Sequence, residues 1–98
     1  MATPIYKYFR LRWREAWYQL PQDEQQAILA KIEAAMNESG GKTVILCRSD
    51  WSNERWSGFG VEEFPNIEAV QQYAERLDEL GWFRYFDGET MLGTRFNE

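Results

Sequence analysis

The sequence predicts an α+β fold, a four-stranded antiparallel sheet with two helices on one of its faces. Three observations predict it. Short segments with strand-like apolar patterns occur at residues 5–12, 42–48, 56–64 and 88–96. Two longer segments, 22–37 and 67–80, repeat apolar residues at helical spacing. Gly, Pro and Asn punctuate the joins between them, which gives the order β-α-β-β-α-β.

In the first strand, Ile5, Phe9 and Leu11 fall on one side, with Lys7 the exception among them. Tyr6, Tyr8, Arg10 and Arg12 fall on the other, because successive side chains of a strand point to opposite faces. Trp13 to Leu20 connects to the first helix, where Pro21 fits the opening turn and Asp23 and Glu24 favour the helix dipole. Ile28, Leu29, Ile32, Ala35 and Met36 form its apolar stripe, and Ser39-Gly40-Gly41 ends it with a left-handed cap.

Lys42 to Arg48 is the second strand, with Val44 to Cys47 at its centre. A polar loop carrying Trp51 leads to the third strand, Trp56 to Phe64, interrupted by Gly58 and Gly60. Phe59 and Val61 are assigned to the helix side, and Trp56, Glu62 and Phe64 to the opposite side. Asn66 caps a second helix whose stripe is Ile67, Val70, Tyr73, Ala74, Leu77 and Leu80, ended by Gly81. Trp82 to Phe86 is read as an aromatic connector, Asp87-Gly88 as a turn, and Gly88 to Phe96 as the last strand. This is the split βαβ, or ferredoxin-like, arrangement.

Composition narrows the functional classes. A chain of 98 residues with 44% hydrophobic and 16% aromatic content offsets its ordering entropy and forms one domain over residues 1–98. Its longest apolar runs fall far short of the ~20 residues a membrane helix needs, and Met1-Ala2-Thr3-Pro4 shows no leader, so a cytoplasmic protein without a membrane partner is expected. Histidine is absent, which excludes imidazole acid–base work, His-ligated metals and Ser-His-Asp triads. Cys47 is the sole cysteine, so no intrachain disulfide or Cys-x-x-Cys motif exists. No metal or cofactor is expected, and an enzyme on this chain would work without either.

The helix-free face of the sheet is where function is expected. Tyr6, Tyr8, Trp56 and Phe64 make it too apolar to face water, and a second copy of the chain or RNA would each cover it. For RNA, Ser57-Gly58-Phe59-Gly60-Val61-Glu62-Glu63-Phe64 overlays the third strand of an RNA-recognition fold. Ser57, Val61 and Glu62 miss the basic, stacking and core positions of that pattern. The net charge of −5 also opposes phosphate binding, so no nucleic-acid partner is expected.

Ala16-Trp17-Tyr18-Gln19-Leu20-Pro21-Gln22-Asp23-Glu24 resembles the lead into the first helix of small darcynin-like proteins of unknown function. Phe64-Pro65-Asn66-Ile67-Glu68-Ala69-Val70 and Gly81-Trp82-Phe83-Arg84-Tyr85-Phe86 are similar to later stretches of the same proteins. The resemblance implies membership of the dimeric α/β-barrel superfamily, in which two ferredoxin-like sheets pack face to face around a lumen. That group spans monooxygenases, haem-degrading enzymes, isomerase-like enzymes and stress proteins, so the resemblance implies a fold and a homodimer without a reaction. The haem-degrading members use a histidine that this chain lacks.

Such a lumen would enclose Tyr6, Tyr8, Arg10, Arg12, Trp56 and Glu62, which become the candidate ligand-binding residues. Two arginines facing one glutamate leave a place for a small organic anion, held by a bidentate contact and walled by the aromatic rings. Two alternatives stay open. The same charges could orient two sheets in a stress or interaction module without catalysis, and Trp51 could serve either as a lid or as a dimer contact.

Overall fold

Alternating strands pair and periodic helices cover one side of them. The computed structural model describes residues 3–97; Met1 and Ala2, part of the segment on which the leader expectation rests, lie outside them. The elements run β1 (Ile5–Trp13), α1 (Glu15–Tyr18), α2 (Gln22–Ser39), β2 (Lys42–Arg48), β3 (Gly58–Phe64), α3 (Ile67–Glu79), α4 (Trp82–Tyr85) and β4 (Phe86–Gly93). The strands form one antiparallel sheet in the order β2-β3-β1-β4, with β1 and β3 central. This is the ferredoxin-like α+β fold.

Local chemistry sets the helix ends. Asn66 accepts a hydrogen bond from the Ala69 amide at 2.8 Å and caps α3. Gly40 closes α2 with φ +79°, a conformation that costs other residues a clash at Cβ. Two aromatic-rich clusters hold the helices to the sheet. In one, fully buried Phe64 meets Tyr73 of α3 with ring centroids 5.5 Å apart, together with Val70, Leu77, Ala35 and Met36. In the other, Trp13 of β1 stacks on Trp17 of α1 at 4.6 Å, and Phe86 stacks on Trp82 at 3.9 Å.

The structure corrects the facing of the third strand. Ile5 pairs with Phe64, Lys7 with Glu62, Phe9 with Gly60 and Leu11 with Gly58, and residues paired across a ladder share a face. Phe64 and Glu62 therefore point toward the helices, while Phe59 and Val61 point to the open face. The cause is Phe64, which is fully buried against Tyr73 of α3 and fixes the phase of the whole segment. Gly58 and Gly60 follow it inward. A Cβ on Gly60 would lie 2.9 Å from the Phe9 ring, so the missing side chain is what lets Phe9 cross β3.

Two segments read as connectors are short helices, α1 and α4. The last strand starts earlier than the sequence indicates, because Asp87 pairs with Arg12 and Gly88 with Leu11. Asp87-Gly88 thus belongs to the ladder and is not a turn.

Candidate functional site

The Lys7 exception in β1 locates the site. Its neighbours Ile5, Phe9 and Leu11 must face the helices, and alternation carries Lys7 inward with them. Glu62 lies opposite on β3, and the Lys7 Nζ to Glu62 Oε1 distance is 3.7 Å. Both side chains are nearly buried, at 13% and 9% exposure. The Tyr73 ring of α3 completes the group, its centroid 5.0 Å from Lys7 Nζ. Glu62 Oε1 is buried without a hydrogen-bond partner.

Such a pair carries a high electrostatic cost. Burial pushes the Glu62 carboxyl above its ordinary range, and the Lys7 charge opposes that rise without cancelling it. Burial also holds the Lys7 ammonium below its ordinary value, against the pull of Glu62. The Tyr73 hydroxyl is raised first by burial and then by the charge of Glu62, which keeps it protonated.

This group lies in the wall of a cavity of about 1060 Å³ between the sheet and α2. Phe9 and Leu11 of β1, Gly58 of β3 and Leu46 of β2 form its floor; Leu29, Ile32 and Met36 of α2 roof it, with Trp13, Trp82 and Phe86 at one end. Two features of the sequence open it. Gly58, on the inward face of β3, supplies no side chain to fill that part of the sheet. The stripe of α2 packs on α3 only through its C-terminal part, where Ala35 and Met36 are buried. Leu29 stays 42% exposed and Leu46 68% exposed although both line the cavity, so it opens along the edge strand β2.

The residues singled out in the sequence divide between the two faces. Tyr6, Tyr8, Arg10 and Arg12 alternate onto the open face, and the Arg10 and Arg12 guanidinium groups lie 4.7 and 5.9 Å from the Trp56 ring centroid. Arg10, Arg12 and Trp56 come together, while Tyr6 and Tyr8 share their face farther along β1. Glu62 does not join them, because the β3 register turns it to the helix side. Nor does either arginine lack an anion. Arg10 pairs with Glu89 and Arg12 with Asp87, the latter at 3.2 Å, because the outward alternation of β4 supplies carboxylates opposite both. Tyr6 accepts a hydrogen bond from Arg95 Nε at 2.9 Å. Trp51 is 80% exposed and donates from Nε1 to the Arg48 carbonyl.

Sequence reasoning missed Lys7 and Tyr73 as site residues and put Glu62 on the wrong face. The signal was present: a lysine within an apolar alternation demands a buried partner of opposite charge. Among the described residues, no group of three or more His, Cys, Asp or Glu side chains is placed to hold a metal ion, and no helix is long and apolar enough to cross a membrane.

Comparison with known proteins agrees with this architecture. The profile of a family of unknown function, DUF6616, matches residues 6–97. The chain belongs to DUF6616. That match does not carry the darcynin likeness. A search of curated proteins finds no match.

Among solved structures, this DUF6616 chain is similar to chlorite dismutase from Candidatus Nitrospira defluvii (R173K mutant), with TM-score 0.74 and 10% identity, over 100% of this chain and 42% of that one. The chain thus spans less than half the length of that enzyme. A protein of unknown function from Rhodopseudomonas palustris aligns with TM-score 0.64 and 14% identity, over 100% of this chain and 86% of its own. A dimeric protein of unknown function with a ferredoxin-like fold, from Bacteroides fragilis, gives TM-score 0.55 and 13% identity, over 94% and 96%. At these identities the likeness shows the fold alone.

Proposed function

We propose that this DUF6616 protein binds a small organic molecule on the helix side of its sheet, in the cavity under α2. The observation that carries this reading is the buried Lys7–Glu62 ion pair, whose Glu62 Oε1 accepts no hydrogen bond, in the wall of a largely apolar cavity. Pockets that bind small molecules combine apolar walls with a few convergent polar groups, and this one has that composition. A ligand would lay an aromatic or branched apolar body against Phe9, Leu11 and Met36. Its polar end would meet Lys7 as a donor and Glu62 as an acceptor. The pair is neutral overall, so the site favours a polar but uncharged head, or a carboxylate that takes over the lysine.

Lumen binding between Arg10 and Arg12 is the weaker reading, because both arginines already have carboxylate partners on β4. We assign the open face instead to a second copy of the chain. Tyr8, Phe59, Ile45 and Met91 are exposed there beside side chains of both charges, a combination that can complement itself across a two-fold axis. The dimeric Bacteroides fragilis neighbour supports this assignment. The assignment leaves no exposed basic surface for nucleic acid on that face. A cytoplasmic setting keeps the single Cys47 reduced.

The ligand reading is tested by fluorescence, since Trp13 and Trp82 line the cavity. Aromatic alcohols, ketones and carboxylates titrated into the protein should change tryptophan emission and raise the melting temperature. Leu46→Trp, which narrows the mouth, should weaken that response, and Tyr8→Ala on the open face should not. A ligand that responds to Tyr8→Ala alone would return the site to the open face.

A further inference from the structure

The chain has three lysines, Lys7, Lys31 and Lys42. Lys31 and Lys42 are exposed, whereas Lys7 is nearly enclosed between the Glu62 carboxylate and the face of the Tyr73 ring. A lysine amine attacks carbon only when it has lost its proton, and an apolar wall with a carboxylate at 3.7 Å is where that proton has somewhere to go. The ammonium–carboxylate pair and the amine–carboxylic acid pair differ only in which partner holds one proton. Burial raises Glu62 and lowers Lys7, so both shifts move the pair toward its uncharged form.

Resting on the cavity reading above, we propose that Lys7 captures an aldehyde or ketone as a protonated imine, with Glu62 carrying the proton. The Lys7 proton first passes to Glu62. The amine lone pair then attacks the carbonyl carbon; the C–N bond forms and the carbonyl π pair moves to oxygen. Transfer of one nitrogen proton to that oxygen gives the carbinolamine. The C–O bond breaks as Glu62 protonates the departing hydroxyl, and water leaves. The product is an iminium cation beside the Glu62 carboxylate, so charge and atoms balance without an oxidant or reductant. Glu62 Oε1, which faces Lys7 Nζ at 3.7 Å and accepts no hydrogen bond, is the atom placed for this transfer. Tyr73 holds its ring against the cation, as it does against Lys7 in the structure.

The substrate class is therefore a carbonyl compound with an apolar, preferably aromatic, body. The test uses 4-phenylbutan-2-one with sodium cyanoborohydride, which reduces an imine to a stable amine, followed by intact mass and peptide mapping. A single reduced adduct on Lys7 is expected, with Lys31 and Lys42 unmodified. Glu62→Gln should slow its formation on the order of a hundredfold, the usual scale of a lost general acid. Adducts on Lys31 and Lys42 with Lys7 unmodified would overturn the proposal, and so would trapping at Lys7 unchanged by Glu62→Gln. Mapping on the unaltered protein keeps the test valid even where a variant folds poorly. 4-Phenylbutan-2-ol, which has no carbonyl, separates the two readings. If it alters tryptophan emission while the ketone leaves no adduct on Lys7, imine capture is wrong and cavity binding stands; if neither acts, both fail.

Discussion

Replacing Lys7 by Met and Glu62 by Leu, singly and together, measures what the buried pair contributes. At 3.7 Å and an effective dielectric constant near 20, the attraction is about 4 kcal/mol. Removing one partner leaves the other charge buried alone, which typically costs about 3–5 kcal/mol. Removing both should restore much of that stability, and the double variant should lie near the unaltered protein or above it. The two single variants should also carry opposite pH slopes. With Lys7→Met, the raised Glu62 carboxyl favours folding while it is protonated, so stability is highest below the ordinary carboxylate range. It falls as pH rises through the folded value. With Glu62→Leu, the lowered Lys7 favours folding while it is uncharged. Stability is then highest above the ordinary lysine value and falls as pH drops through the folded one. Urea unfolding followed by tryptophan fluorescence from pH 5 to pH 9 resolves this. Additive single losses, or two flat and parallel pH profiles, would show that Lys7 and Glu62 are solvated and uncoupled, and would refute the reasoning.

Phe64→Ala removes a large, fully buried side chain and should lower unfolding free energy by about 3–5 kcal/mol in urea. Asn66→Ala removes the hydrogen bond to the Ala69 amide and should cost about 1 kcal/mol by the same assay, with ligand response unchanged. Sedimentation at micromolar concentration should give about twice the 11.7 kDa chain mass, and Tyr8→Asp on the open face should shift the protein toward monomer.

What the sequence made legible was local. Asn66, Gly40 and Gly81 mark their helix ends through chemistry contained within a few residues, and the β1 alternation is regular enough to assign both of its faces. The phase of β3 was not legible in the same way. Gly58 and Gly60 carry no side chain, so few residues are left to set the facing, and the assignment of Phe59 and Val61 to the helix side rests on a weak alternation. Only the need to bury Phe64 against α3 reverses that choice, and the need arises in three dimensions. The carboxylates of Asp87 and Glu89 were hidden for a related reason: Asp87 reads as part of a turn, and the register of β4 on β1 that sets Glu89 opposite Arg10 is fixed only by the pairing of the two strands. Lys7 was visible as an exception on an otherwise apolar face, but its significance depended on the β3 phase that brings Glu62 opposite it. The cavity follows from two facts, Gly58 on the floor and a helix whose apolar stripe extends beyond its packing partner.

The most direct test of the account is amide chemical-shift mapping by NMR with an aromatic ketone or alcohol as ligand, since it reports both faces of the sheet at once. The account predicts shifts concentrated at Lys7, Leu11, Leu46, Glu62 and Tyr73, which surround the cavity under α2. Shifts confined to Tyr8, Arg10, Trp56 and Phe59, with the helix-side group unmoved, would contradict it and put the binding site on the open face.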